Sequence, residues 1–237
     1  MLHFQRSTSP NETVAPLRPL PDTGLGAPDA LHSIAHVRRL RRNQEIFDED
    51  EHGDSWYCVV AGAVREYVVQ SDGRRQIIDI LLPGDFFGFT LRSHRWFGAQ
   101  AVAEETTIEC YPRQKVEVLA DKEPSVAHEI RAQCFQAIER LESQMLVAGT
   151  MTSQGKVRAF LAYFCDRLAC VQGDGAPLPI SRYDIADMLG ISVETVCRAF
   201  TELQERGLIT LQGPRRITVK GSPTRCCCAE IDDGQGN

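Results

Sequence analysis

From Ile46 to Tyr111 the chain is divided into short apolar runs separated by turn residues. Trp56-Tyr57-Cys58-Val59-Val60 is apolar and β-prone, and Val64–Val69 alternates around Arg65 and Glu66. Gln76–Leu82 and Thr107–Tyr111 read as two further strands. Gly53-Asp54, Ala61-Gly62, Ser71-Asp72-Gly73 and Pro83-Gly84-Asp85 mark the corners between them. Short strands with a glycine at each corner predict a small antiparallel barrel or roll. On either side the period lengthens. Between Ala30 and Arg42, Leu31, Ile34, Val37 and Leu40 recur at steps of three, which predicts a short amphipathic helix with His32 and His36 on one face. From Ser125 to Thr150 a single long helix is expected. In it Ile130, Cys134, Ile138, Leu141 and Met145 recur at steps of four, four, three and four, a seam suited to a second copy of the chain. The alternative is a helix packed on its own roll. A further helical stretch (Val157, Phe160, Leu161, Phe164, Leu168) ends near Cys170, ahead of the loop Gly173-Asp174-Gly175-Ala176-Pro177.

The segment from Ile180 to Phe200 has the local chemistry of two helices joined by a tight turn. Ser181 caps the first helix, with Asp184 three residues on in the capping-box position. Ile185, Met188 and Leu189 form its apolar face, and Ala186 is small enough for a close helix crossing. Gly190 stands where a left-handed turn residue is needed. Ser192 caps the second helix. Val193, Val196 and Phe200 pack back, which turns Glu194, Cys197 and Arg198 outward. Gly207 ends that helix, and Leu208–Leu211 and Arg216–Val219 flank Gln212-Gly213-Pro214-Arg215, a hairpin with a basic tip. A helix-turn-helix followed by a β-wing places its second helix in the major groove and its wing on the phosphates. The expected contacts to double-stranded DNA are Ser192, Val193, Glu194, Thr195, Cys197, Arg198 and Arg215.

Charge limits how such contacts work. The whole chain carries a net charge of −6, so any DNA affinity rests on a local surface. Six basic residues (Arg182, Arg198, Arg206, Arg215, Arg216, Lys220) face five acidic ones (Asp184, Asp187, Glu194, Glu202, Glu205) between residues 181 and 220. With so small a surplus, affinity depends on dimerisation and base contacts more than on phosphate neutralisation. The chain is 43% hydrophobic and 24% charged, as globular proteins are. No apolar run reaches a membrane-spanning length, and residues 1–28 are polar, carry five prolines and show no secretory signal. Nine cysteines in that setting point to free thiols in a reducing cytoplasm. The expected class is α+β. It divides into a flexible arm (1–28), an antiparallel β-roll (29–120) that the family resemblance given next makes cyclic-nucleotide-binding-like, a dimerisation helix (121–153), a winged helix-turn-helix domain (154–221) and a flexible tail (222–237).

A glycine-cornered roll, a long dimer helix and a winged helix-turn-helix, in that order, resemble the CRP/FNR family of bacterial transcription regulators over residues 30–220. The motif match is Asp184-Ile185-Ala186-Asp187-Met188-Leu189-Gly190 followed by Val193-Glu194-Thr195-Val196-Cys197-Arg198. FNR-like members carry Glu-x-x-Ser-Arg here, so Cys197 is a departure. The resemblance implies a palindromic operator with TTGA-type half-sites, Arg198 on guanine and Glu194 on the opposite-strand cytosine or a neighbouring base. It also implies a homodimeric activator that recruits RNA polymerase through surface loops.

The expected sensor is defined by what it lacks. Residues 1–57 contain no cysteine for an iron–sulfur cluster. Pro83-Gly84-Asp85-Phe86-Phe87-Gly88 keeps the family's turn, but Phe97-Gly98-Ala99-Gln100 lacks the Arg-Ser pair that cyclic-nucleotide members use. No cofactor is therefore expected, although His94 is a conceivable haem ligand. The remaining likeness is to the FixK-type branch, which acts on genes of micro-oxic respiration and nitrogen fixation and carries cysteine at the Cys197 position. Oxidation of Cys197 would set a negative charge against phosphates. Cys226-Cys227-Cys228 reads as an oxidisable tail. Two other readings are a family sensor gated by an unknown small molecule in the roll, and a cupin-like enzyme. The enzyme would need clustered metal-binding histidines, and His52 and His94 are far apart in sequence.

Overall fold

The computed structural model describes residues 29–150, 152–168, 176–211 and 216–219. A short helix, α1 (Asp29–Ile34), leads into eight strands: β1 (His36–Arg41), β2 (Glu45–Phe47), β3 (Ser55–Ala61), β4 (Val64–Val69), β5 (Arg75–Leu81), β6 (Phe86–Phe87), β7 (Gly98–Ala101) and β8 (Glu105–Pro112). They form two four-stranded antiparallel sheets, ordered β1-β8-β3-β6 and β2-β7-β4-β5. Alternate residues of both sheets turn inward, and Leu40, Phe47, Tyr57, Val64, Leu81 and Phe97 pack between them. The corner at Gly62 admits only glycine. Its φ is +85°, and an added Cβ would stand 2.5 Å from the carbonyl oxygen of Glu105.

The helix expected through Arg42 stops at Ile34. His36 to Arg41 pair residue by residue with Cys110 to Glu105 on β8. Those ladder bonds are made with a segment some seventy residues away, which a local period of three cannot register. Leu31 and Leu40 are both buried, but in different clusters, one on the helix and one on the strand. His32 meets Glu109 at 3.2 Å, while His36 lies exposed on β1 rather than on a helical face beside it.

Three helices follow: α2 (Arg113–Lys122), α3 (Pro124–Thr150) and α4 (Ser153–Arg167). The face that α3 turns to the roll is Val126, Glu129, Gln133, Arg140 and Val147, all buried and largely polar. Arg140 is 2% exposed. Its Nε donates to Asp79 Oδ2 at 3.2 Å and its Nη1 to Asp85 Oδ1 at 3.4 Å. Burial alone lowers the Arg140 pKa, but the Asp85 and Asp79 carboxylates outweigh it and hold the guanidinium above its ordinary value. Arg167 of α4 also reaches Asp85, so roll, long helix and α4 meet on one ionic hub. The expected seam divides. Ile130 packs against the cluster around Leu31 and Val116, and Cys134 is half-buried. Ile138, Leu141 and Met145 are exposed, together with Phe135 and Leu146, which the seam spacing omits.

The C-terminal unit comprises β9 (Ala176–Pro177), α5 (Arg182–Leu189), α6 (Val193–Glu205), β10 (Ile209–Leu211) and β11 (Arg216–Val219). The strands form a sheet in the order β10-β11-β9. Its core of Phe160, Phe164, Ile185, Val196, Phe200 and Ile217 is continuous with Ile77, Ile80 and Leu82 of the roll.

Candidate nucleic-acid interface

The α5–α6 pair is built by local bonds. Ser181 Oγ accepts from the Asp184 amide at 3.1 Å, and Asp184 Oδ2 accepts from the Ser181 amide at 2.9 Å, a reciprocal cap. Gly190 closes α5 at φ +64°, the left-handed conformation expected of it, and the Ile191 amide donates back to Ala186. Ser192 Oγ accepts from the Thr195 amide at 3.2 Å and starts α6.

The two faces of α6 differ sharply in character. Val196, Ala199, Phe200 and Leu203 are buried. Glu194 and Arg198 are exposed, and Ser192 is exposed beside them. Cys197 and Thr195 are half-buried on the same side. The free amides of the first turn and the Ser192 hydroxyl hold the Glu194 carboxyl below its usual range, with Arg198 adding to the effect. An ionised acceptor and a guanidinium thus stand one turn apart on one solvent face. Val193 is half-buried too, and its side chain packs against the core beside Val196 and Phe200, as their spacing predicts. Arg215 lies outside the described residues, as do Cys226, Cys227, Cys228, the N-terminal arm and the C-terminal tail.

Sequence reasoning passed over the entrance to α5. Tyr183 is exposed there, and Arg182 lies with its guanidinium carbon 4.4 Å from the centre of the Phe200 ring. These two residues, with Arg216, line a cleft of about 280 Å³ between α5 and the β-wing. The available signal was positional, because the first helix of such a pair crosses the DNA backbone.

The roll interior does not fit a cyclic nucleotide. Arg95 is buried with its guanidinium carbon 3.9 Å from the centre of the Phe47 ring, and it donates to the carbonyls of Gly88 at 2.8 Å and Ser55 at 2.6 Å. Phe47, Tyr57, Phe87 and Phe97 stack around it. Gly98 lies against Tyr67, where an added Cβ would stand 3.1 Å from the ring. The Glu66 carboxyl accepts from the Gly88 amide at 3.3 Å, and burial with the Asp79 charge pushes its pKa up to about 8. The Arg95 guanidinium, stacked on rings and bonded to two carbonyls, is not a free cation for a phosphate. His94 is exposed, with its ring 4.4 Å from that of His52, and lines no cavity described here. Among the described residues no three metal-binding side chains cluster, and no helix is long and apolar enough to cross a membrane.

A roll, a long helix and a winged helix-turn-helix with an outward Glu–Arg pair define a DNA-binding regulator. Residues 37–123 match the cyclic nucleotide-binding domain family, and residues 155–221 match the Crp-like helix-turn-helix domain family. The nitrogen fixation regulation protein FixK of Rhizobium meliloti (strain 1021) is 36% identical over 195 residues, covering 81% of this chain and 87% of the relative. FixK of Azorhizobium caulinodans is 37% identical over 185 residues, covering 76% and 73%. The solved structure of FixK2 from Bradyrhizobium japonicum superposes with a TM-score of 0.74 at 36% identity, over 80% of this chain and 94% of that one. The chain therefore belongs to the CRP/FNR family of transcription regulators, on its FixK-type branch, and its relatives are regulators rather than enzymes.

Proposed function

We propose that this protein is a homodimeric, sequence-specific activator that binds a palindrome of TTGA-type half-sites and needs neither a cyclic nucleotide nor an iron–sulfur cluster. Its targets are genes of the micro-oxic respiration and nitrogen-fixation type, in keeping with the relatives named FixK. The observation that carries this is the outward pair Glu194 and Arg198 on α6, backed by a fully buried opposite face. Arg198 forms a bidentate contact with guanine O6 and N7, and Glu194 accepts from cytosine N4. Thr195, Ser192 and Cys197 border them, and Arg215 on the wing reaches phosphate. A second copy docks on the exposed Ile138, Leu141 and Met145, with Ile130 and Cys134 at the seam's roll end. RNA polymerase is recruited by surfaces away from DNA. Selection of bound sequences from random duplex tests this reading. A two-fold motif with half-sites about one helical turn apart is expected, and an asymmetric or absent motif refutes it.

Cys197 is the redox-sensitive position in this reading. Burial drives the thiols of Cys58, to about 12, and of Cys110 away from the reactive thiolate, while Cys197 stands at the reading face. Two molecules of peroxide convert its thiol to a sulfinic acid and leave as two waters, and the new charge opposes the phosphates. DNA binding by Cys197→Ser is then resistant to peroxide. Equal sensitivity in the variant and the parent chain refutes the role.

A further inference from the structure

Three polar side chains of the roll reach across to α5 and grip it at both ends. Arg65 of β4 is 7% exposed, and its Nη1 donates to Asp184 Oδ1 at 2.6 Å. Asp184 is the partner of Ser181 in the capping box of α5, so its other oxygen is already held by Ser181. Arg75, at the start of β5, donates from Nη2 to Asp184 Oδ1 at 3.0 Å and to Asp187 Oδ2 at 2.7 Å, and from Nε to Asp187 Oδ2 at 2.9 Å. At the far end of the helix, Gln76 Nε2 donates to the carbonyls of Asp187 at 2.6 Å and Met188 at 3.3 Å. Arg65 is itself steadied by Asn43 Oδ1 at 3.3 Å and by Gln100 Oε1.

The apolar cluster beneath these bonds already joins roll and helix pair. Apolar burial has little directionality and permits sliding. Paired guanidinium–carboxylate contacts have narrow geometry, and a buried pair is costly to leave broken. Because α5 and α6 are fixed to each other through Gly190 and the Ile185–Val196 core, orienting α5 orients the reading helix. Two paths therefore join the exposed apolar face of α3 to Arg198, one through α4, whose Phe160 and Phe164 share a core with Val196 and Phe200, and one through the roll and this grip, which is the path with directional bonds.

We propose that Arg65, Arg75 and Gln76 are positioning residues for DNA recognition. They fix the separation and angle of the two α6 helices in the dimer, and so the half-site spacing the protein accepts. This inference rests on the reading of the protein as a dimeric palindrome binder. One added base pair rotates a half-site by about 35° and moves it by about 3.4 Å, so a rigid dimer rejects it and a loosened one follows it.

The test uses the full chain on operators whose central spacer is lengthened or shortened by one and two base pairs. The parent chain should prefer one spacer by about tenfold or more. The double variant Arg75→Ala with Gln76→Ala should bind the altered spacers almost as well as the best one, while binding to an isolated half-site is unchanged. The conservative variant Arg75→Lys, which keeps a cation between Asp184 and Asp187, should keep much of the preference, whereas Arg75→Met, of similar length and uncharged, should lose it, and this pair serves where the alanine variant fails to fold. Folded, dimeric variants that keep the parent's full spacer preference overturn the inference and leave the DNA-binding reading intact. A parent chain that binds no palindrome overturns that reading, and the inference falls with it.

Discussion

Ile138 and Leu141 are 49% and 41% exposed in the single chain, so a partner has about half of each side chain left to cover. Full burial of such a side chain contributes about 1.5–3 kcal/mol, which leaves about 1 kcal/mol per residue for association. A two-fold axis presents each residue twice. Replacing both by serine thus removes about 4 kcal/mol of dimer stability, or about a thousandfold in dissociation constant. The other half of each side chain is already covered within the protomer, so by the same arithmetic each substitution should cost the protomer fold about 1 kcal/mol and leave it folded. Sedimentation velocity at micromolar concentration should show the parent chain dimeric and the Ile138→Ser, Leu141→Ser variant monomeric. Circular dichroism melts should show a variant protomer that is folded. Operator affinity should fall as well, since each half-site loses its linked neighbour. A folded variant that still sediments as a dimer refutes the placement of the seam.

Arg198→Ala should cost about 1–3 kcal/mol per half-site and relax the preference for guanine, read by binding to base-substituted operators. Ser181→Ala removes the α5 cap and should destabilise the chain by about 1 kcal/mol in urea titration. Glu66 has a folded pKa of about 8 against an ordinary 4.5, so the folded state holds its proton more tightly. Its contribution is therefore fully present below pH 4.5 and is lost as pH rises through 8, by up to about 1.4 kcal/mol per pH unit. Glu66→Gln should flatten that decline and raise the melting temperature at pH 8 more than at pH 5. An unchanged pH profile contradicts the assignment.

The helix-turn-helix was legible because its determinants are local. Ser181 and Asp184 lie three residues apart, Gly190 supplies its own left-handed turn, and the period of α6 separates Val196 and Phe200 from Arg198. The strands from β3 to β5 were legible for the same reason. What escaped was decided at long range. Strand β1 exists because β8 offers it a ladder, and the periodicity of Leu31, Ile34, Val37 and Leu40 imitates a helix where a strand forms. The inward face of α3 went unread because Glu129, Gln133 and Arg140 look like a solvated side. Arg140 becomes an interior residue only once Asp79 and Asp85, more than fifty positions earlier, meet it.

The stacking of Phe47, Tyr57, Phe87 and Phe97 about Arg95 leaves the sensor chamber furnished from within. That guanidinium, held by rings and by the carbonyls of Gly88 and Ser55, is part of the roll's own scaffold.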